Sequence, residues 1–330
     1  MLQTRFTKMF GLDYPIMSAP MTSHSGGTLA AAVSAAGGLG SFGGLSDKGP
    51  AFAKDQIALV RAKTDRPFGV GFITHFLPAA KPILELALEE RVPVIAFSFA
   101  NPAPYAQQAK DTGAKVICQV QTIDAAQQAI DAGADVLVAQ GNEAGGHTGI
   151  RPLLPFLSEV LDAWPDIPVL AAGGIATGRA LAGILAMGAD GAWMGTPLVA
   201  TYEAVEVADA YKRKIVDARA EDSVFTRVFD LLDEKAWGMP PWPAPVAARV
   251  ILNETVEQWQ GREDDLAAHI DDAAAEFKEH LGQDEMRWRP IYAGPSAGTV
   301  RAVRSAAEVI REVCDDAERI LRDRSRELLT

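Results

Sequence analysis

The chain has 330 residues, 48% hydrophobic and 22% charged, which is enough to bury one large core and a second, smaller one. Its formal net charge of −12 at pH 7 disfavours nucleic acid and anionic membranes as partners, because the overall field repels polyanions. The two cysteines lie far apart in no C-x-x-C spacing, and neither an apolar leader nor a membrane-length apolar run is found. We therefore expect a cytoplasmic protein without a disulfide framework, a metal site or a membrane span.

Eight short apolar segments occur within residues 1–204, each followed by a segment of helical periodicity. Apolar runs without polar alternation are typical of parallel strands that are covered on both faces. Eight such units in so short a stretch favour a closed (β/α)8 TIM barrel, an α/β fold, over a doubly wound open sheet, which is the alternative. The predicted strands are Pro15–Ala19, Leu39–Phe42, Phe68–Phe72, Val94–Phe97, Val116–Val120, Val136–Gln140, Val169–Ala172 and Gly191–Gly195.

The pattern changes after the eighth unit. Residues 205–289 carry helix formers and acidic runs without glycine-punctuated strands, which predicts a small helical second domain that covers the barrel as a lid. In residues 290–330, apolar side chains recur every three or four positions from Val300 onwards. This spacing is typical of one amphipathic C-terminal helix, which we expect to pack on the barrel. An oligomerising coiled coil is the alternative, so a homo-oligomer stays open.

The strongest candidate site follows the sixth predicted strand. Barrel enzymes place their active sites at the carboxyl ends of the strands, where the run from Gln140 to Gly149 surrounds His147 with small residues. A lone histidine is more often structural, but a glycine-rich loop at the mouth of a barrel favours a role in proton exchange.

Glu143 in the same run is either a brace for the loop or a partner of the site. His24 and His75 follow other strands, either as lining of the site or as polar groups at helix starts.

Glycine turns follow the seventh and eighth predicted strands. At Gly173–Gly174 and Gly195–Thr196, exposed backbone N–H groups and a helix start are suited to a phosphate. Either turn alone is typical of a tight connection, whereas both together at adjacent strand ends favour a cofactor phosphate. No G-x-x-x-x-G-K-[ST] run is present, and the glycines at 37–40 precede a strand when a dinucleotide fingerprint would follow one.

The glycine turns, the Gln140–Gly149 loop, the Ala19-Pro20-Met21 segment and the late Tyr292–Gly298 segment together resemble the nitronate monooxygenase family, formerly called 2-nitropropane dioxygenases. The resemblance covers the whole chain. It implies an FMN-dependent barrel with a small second domain, which oxidises a small-molecule alkyl nitronate or nitroalkane with O2 to a carbonyl compound and nitrite. The wider family implies an alternative, the NAD(P)H-dependent reduction of a quinone or an enoyl thioester.

The resemblance also assigns residues. It implies that His147 is the catalytic residue, either as a neutral base that removes a carbon-bound proton or as a protonated group that holds the nitro oxygens. It also implies that FMN lies against a set of strand-end residues. Three positions depart from the family pattern: Gly71 stands where many relatives have asparagine, Gln119 where some have lysine, and Pro295 where glutamine is usual. Trp237 and Trp242 either cap the flavin or pack among prolines. The expected FMN-binding residues are Ala19, Pro20, Met21, Gln119, Gln140, Gly173, Gly174, Gly195 and Thr196, and the expected substrate-lining residues are His24, Gly71, Gly146 and Ser296.

Overall fold

A computed structural model describes residues 2–329, and its strands fall into two sheets. The continuous apolar runs of residues 1–204 become strands that are almost entirely buried, as the sequence predicts. The strands are β1 (Ile16–Ser18), β2 (Gly40–Gly43), β3 (Phe68–Ile73), β4 (Val94–Ser98), β5 (Lys115–Val120), β6 (Val136–Gln140), β7 (Gly146–Thr148), β8 (Val169–Ala172), β9 (Gly191–Met194), β10 (Ser223–Thr226) and β11 (Ala247–Ile251).

Eight of these strands form a closed parallel barrel. Their order around the sheet is β1-β9-β8-β6-β5-β4-β3-β2, and every pairing is parallel. Leu39 donates from its backbone to Ile16 and accepts from Ser18, which joins the first strand to the second and closes the ring. The predicted TIM barrel is therefore confirmed, and its eight predicted strands match the observed ones to within about two residues.

Helices alternate with the strands and cover the outside of the barrel. Thr122 and Thr177 cap two of them by accepting from a backbone N–H one turn along, and Gly113 and Gly133 take the left-handed conformation just after the helices that end at Asp111 and Asp131. The helices are α1 (Arg5–Phe10), α2 (Gly27–Ala35), α3 (Pro50–Lys63), α4 (Leu77–Glu89), α5 (Ala103–Asp111), α6 (Ile123–Asp131), α7 (Leu153–Ala163), α8 (Gly178–Ala186), α9 (Thr196–Val199), α10 (Asp209–Asp217), α11 (Val228–Trp237), α12 (Glu254–Trp259), α13 (Glu263–Ala268), α14 (Ile270–Gln283), α15 (Glu285–Trp288) and α16 (Ala306–Leu328).

The barrel is closed at its amino end and open at its carboxyl end. Phe6 on α1 is fully buried among the inward-facing strand residues, such as Met17 and Leu170. Arg5 forms an ion pair with Asp190, which lies just before β9, at 2.7 Å. Helix α1 therefore plugs the end of the barrel where the strands begin, and only the opposite end is free to hold a site.

The second domain is mainly helical, as expected, but it also contains two strands that the sequence analysis did not predict. β10 pairs with β11, and β11 pairs with β7, all antiparallel. Because β7 lies within the Gln140–Gly149 loop of the barrel, this small sheet joins the two domains. The loop is accordingly not irregular throughout, and His147 lies opposite Ala248 in a strand.

The C-terminal helix packs on the barrel, against α8, and its buried residues include Val309, Ile310 and Val313. It begins later than its apolar spacing predicts. Ser305 accepts from the backbone N–H of Glu308, whose carboxylate bonds back to Ser305, so this capping box starts the helix after Val300. Among residues 2–329, no helix has the length and apolarity that a membrane crossing needs.

Candidate active site

A cavity of about 350 Å³ opens at the carboxyl end of the barrel, within the usual range for a small-molecule site. Strand ends from across the barrel form its floor, and the second domain forms one wall. The expected site residues, which are distant in sequence, all line this single cavity: Ala19, Pro20, Met21, His24, Gly71, Gln119, Gln140, Gly146, His147, Gly173, Gly174, Gly195, Thr196 and Ser296.

Unpaired backbone N–H groups lie together on one side of the cavity. Within residues 2–329, the N–H groups of Gly173, Gly174, Gly195 and Thr196 donate to no protein group. Gly173 and Gly174 have φ values of 107° and 72°, a left-handed conformation that glycine adopts without strain. These donors at the ends of β8 and β9 are suited to a phosphate. The Thr196 hydroxyl accepts from the N–H of Gly294, so its own O–H is free to donate as well.

Three glutamine side chains form a hydrogen-bond network, and two of them, Gln119 and Gln140, line the cavity. The Gln121 amide donates to Gln140 at 2.9 Å and to Gln119 at 3.4 Å. The Gln140 amide in turn donates to the backbone carbonyl of His147 at 3.1 Å. The network fixes the orientation of the Gln140 amide and ties the barrel floor to the strand that carries the histidine. Gln121 was missed by the sequence analysis, although its spacing of two from Gln119 places both on one face of the strand end.

His147 lies where the barrel and the second domain meet. Its Nε2 is 2.8 Å from Oδ1 of Asp230 on α11, and both side chains are largely buried. Its ring stacks on Trp242 with centroids 3.8 Å apart and an angle of 15° between the planes. Phe76 and Phe99 meet the edges or face of the same tryptophan at about 5 Å. The imidazole is therefore held on one edge by a carboxylate and on one face by an aromatic ring.

The second domain contributes two carboxyl groups to the cavity, Asp230 and Asp233, which lie one helical turn apart. Burial, together with the charge of Asp230, raises the pKa of Asp233 to about 7, although a hydrogen bond with Trp237 acts against this. Burial and these two carboxylates also raise the pKa of Tyr292 well above its usual range. At neutral pH the wall therefore has a neutral phenol and a carboxyl group that readily holds a proton.

His24 also lines the cavity, and it lies against the rings of Tyr211 and Tyr292. Its Nδ1 is 3.0 Å from the carbonyl of Thr22, and burial lowers its pKa, as does the nearby charge of Arg289. A neutral ring that donates from Nδ1 leaves Nε2 as an acceptor. His24 is thus a lining residue of the cavity and a local brace at the same time.

Two residues of the cavity wall have strained backbones. Ser23 has φ 61° and Phe99 has φ 63°, in the left-handed region that residues with a side chain rarely occupy. Each lies just beyond a barrel strand and lines the cavity. Strain of this kind clusters where loops are shaped for a ligand, so both observations agree with a binding site here.

Packing against Pro20 leaves no room for a side chain at Gly71. A Cβ at this position would overlap the ring of Pro20. The glycine that stands here in place of the asparagine of many relatives therefore permits close packing between β3 and the turn that contains Pro20. Gly195 is different, because an added Cβ there would only touch Met21 Sδ at 3.4 Å and Ala19 at 3.7 Å.

Other candidates from the sequence either brace the protein around the cavity or lie outside it. Glu143 lines the cavity, but its carboxylate accepts from the N–H of Leu153 at the start of α7, which is the brace role. The His75 Nε2 is 3.0 Å from the carbonyl of Pro241 and outside the cavity. Trp237 is exposed and lies under Lys278. Within residues 2–329, no cluster of three or more histidine, cysteine or acidic side chains is arranged to hold a metal.

Comparison with known proteins finds a family model and relatives that match most of this chain. The model of the nitronate monooxygenase family matches residues 3–83 and 76–316. A nitronate monooxygenase of Neurospora crassa is 31% identical, over 92% of this chain and 89% of that one. A Mycobacterium tuberculosis protein named (3aS,4S,5R,7aS)-5-hydroxy-7a-methyl-1-oxo-octahydro-1H-indene-4-carboxyl-CoA dehydrogenase is 34% identical, over 88% of this chain and 77% of that one. The structure of FabK from Thermotoga maritima superposes with a TM-score of 0.86 and 31% identity, over 99% of this chain and 100% of that one.

Proposed function

Because the chain belongs to the nitronate monooxygenase family and is a flavin-dependent oxidoreductase, we propose that it binds FMN and oxidises nitroalkanes and alkyl nitronates with O2. The products would be a carbonyl compound and nitrite. One observation carries the proposal: the imidazole of His147, held in a fixed orientation by Asp230, lines the same cavity as unpaired backbone N–H groups that are suited to a phosphate.

The hydrogen-bond donors that line the cavity fit FMN. The N–H groups of Gly173, Gly174, Gly195 and Thr196 would hold its single phosphate, and the chain has no sequence fingerprint for an adenosine. Ala19, Pro20 and Met21 would pack on the ring, while the amides of Gln119 and Gln140 would hydrogen-bond to its polar edge. When bound, FMN supplies the acceptor for the substrate's electrons and the reaction with O2.

The protein's own residues would act on the substrate before it is oxidised. We expect His147 to remove the carbon-bound proton of a nitroalkane, which leaves the electron pair delocalised over carbon and the nitro group. The Tyr292 hydroxyl stays protonated and is a suitable donor to a nitro oxygen. The negative charge of Asp230 on α11 disfavours a substrate entering as an anion. The neutral nitroalkane is therefore the better substrate of the two.

A second candidate is the reduction of an enoyl thioester or a quinone, with NAD(P)H as the electron donor. Two observations favour it: the relative whose name contains a CoA thioester, and the mainly apolar aromatic wall formed by Phe76, Phe99 and Trp242. A nonpolar acyl chain or a quinone ring would pack well against this wall.

Anaerobic mixing separates the two functions. The purified, FMN-loaded protein is mixed in turn with nitroethane, with ethyl nitronate and with NADH, and the flavin absorption is followed in a stopped-flow instrument. We expect nitroethane and ethyl nitronate to bleach the flavin. NADH should leave the flavin oxidised over the same period. Bleaching by NADH alone would reject the nitroalkane proposal in favour of the reductase.

A further inference from the structure

Asp230 reaches His147 from the other domain, and the fold fixes the distance between them. His147 is the central residue of β7, which pairs with β11, and α11 packs on the same sheet. The Nε2–Oδ1 distance is 2.8 Å, and only 15% of the histidine side chain and 12% of the aspartate side chain are exposed. The contact is therefore shielded from water, where a charge-assisted hydrogen bond is strong.

This contact determines which nitrogen of the neutral ring carries the proton. An ionised carboxylate only accepts hydrogen bonds, so Nε2 must donate and Nδ1 keeps its lone pair. The stack of His147 on Trp242 keeps the ring from turning over. Within residues 2–329, no group forms a hydrogen bond with Nδ1. The one basic atom of the neutral imidazole is thus free for a ligand of the cavity.

The second oxygen of Asp230 gives the pair a functional character. Oδ2 is buried and has no hydrogen-bond partner among the described residues. Burying an unsatisfied carboxylate oxygen costs stability, so its retention calls for an explanation other than folding. A purely structural link between the domains would be redundant, because the β7–β11 pairing already joins them. A carboxylate whose charge is not offset by any other hydrogen-bond donor, in contrast, stabilises the imidazolium that forms when the neighbouring ring takes up a proton.

We propose that Asp230 is a positioning residue for His147: it holds the Nε2–H form of the ring, directs Nδ1 at the substrate and stabilises the imidazolium. In the step concerned, the substrate C–H bond breaks, the proton moves to Nδ1, and the electron pair stays on the substrate as its nitronate. Asp230 keeps its charge throughout. This inference rests on the base role of His147 in the proposed function.

The other titratable groups around the pair are Asp233 on the same helix, Tyr292 on the return segment and Glu143 on the barrel loop. Tyr292 is neutral, and Glu143 is engaged with the backbone of α7. Asp233 is the one neighbour expected to change its charge near neutral pH. Its contribution to a pH profile is separated from that of Asp230 by measuring the profile in an Asp233→Asn background.

The first test uses Asp230→Asn, with Asp230→Glu as a rescue and Asp264→Asn, an exposed acid on α13, as a charge-matched control. We expect Asp230→Asn to lower kcat/KM for nitroethane about 100-fold, because asparagine also permits the wrong tautomer. Ethyl nitronate needs no deprotonation, so its kcat/KM should change less than about 5-fold. The acid limb of the pH profile of kcat/KM for nitroethane should move to lower pH in Asp230→Asn. Asp230→Glu should recover part of the activity, and the Asp264→Asn control should match the wild type. Equal losses with both substrates, or none, would overturn the proposal.

A second readout needs no activity. In ¹⁵N-histidine-labelled, FMN-loaded protein, the nitrogen shifts of His147, assigned with a His147→Gln variant, report which ring nitrogen carries the proton. We expect the Nε2–H form in the wild type above neutral pH and a mixture of tautomers in Asp230→Asn. A wild-type ring protonated on Nδ1, or an unchanged tautomer in the variant, would overturn the role of Asp230. If the tautomer shifts as expected but neither nitro compound is a substrate, only the proposed function fails.

Discussion

Replacing Asp233 by asparagine should stabilise the folded protein at alkaline pH. In the fold this carboxyl group is largely buried one turn from Asp230, and its pKa is raised to about 7 from an ordinary value of 3.8. Asparagine has nearly the same shape and still accepts the hydrogen bond from Trp237, but it cannot ionise. The substitution therefore removes a buried charge without opening a cavity.

The size and direction of the effect follow from the two pKa values. A raised pKa in the folded state means that folding favours the protonated carboxyl group, so stability is lost as the pH rises from about 4 to about 7. Since one pKa unit corresponds to about 1.4 kcal/mol, the loss above pH 7 reaches at most about 4 kcal/mol. Asp233→Asn avoids this loss. Its advantage over the wild type should grow by about 2.5 kcal/mol between pH 5 and pH 8.

Urea unfolding at fixed excess FMN, at pH 5, 6, 7 and 8, measures the difference between the two proteins. The Asp264→Asn variant removes an exposed acid of the same domain and should track the wild type at every pH. An Asp233→Asn variant whose stability differs from that of the wild type by a constant amount, or falls behind it as the pH rises, would refute the argument from burial.

Three further outcomes follow from the geometry of the cavity. Acid treatment of the purified protein should release FMN and no FAD, as chromatography of the supernatant would reveal, because one phosphate site and no adenosine fingerprint are present. Gly195→Ala should fold normally, with its Cβ in ordinary contact with Met21, yet bind FMN at least about 10-fold more weakly in a fluorescence titration, whereas Gly183→Ala, at an open position on α8, should bind normally. Full affinity in Gly195→Ala would place the phosphate elsewhere. Gly71→Asn should lower stability by about 1–3 kcal/mol in urea unfolding, because the new side chain overlaps Pro20, and an unchanged midpoint would contradict that packing.

The barrel was predictable because its strands are uninterrupted apolar runs and glycines follow its helices. The two strands of the second domain were not. β10 and β11 have only four and five residues, are surrounded by acidic helices, and are completed by β7 in the other domain. Such pairing over a long sequence distance leaves no local pattern, because it depends on where the barrel loop comes to lie.

The floor of the candidate site was predictable for the same reason as the barrel, since strand ends meet at one rim. The wall that the second domain contributes was harder to predict, because Asp230 and Asp233 are separated from His147 by more than eighty positions in the sequence. A local signal did exist. The two acids lie three residues apart among Val228, Phe229 and Leu232, on the buried side of a helix where a charge is costly. An acidic pair on an apolar helix face is therefore worth weighing as part of a site.

Single-turnover reduction of the flavin with and without His147 tests the central claim most directly. Wild-type protein and His147→Ala, both loaded with FMN, are mixed anaerobically with nitroethane or with ethyl nitronate, and the rate of bleaching is recorded. If His147 is the base, the variant should retain FMN and react with nitroethane about 10²–10⁴-fold more slowly, while ethyl nitronate reacts within about 10-fold of the wild-type rate. A His147→Ala protein that reacts with nitroethane as fast as the wild type would contradict the account.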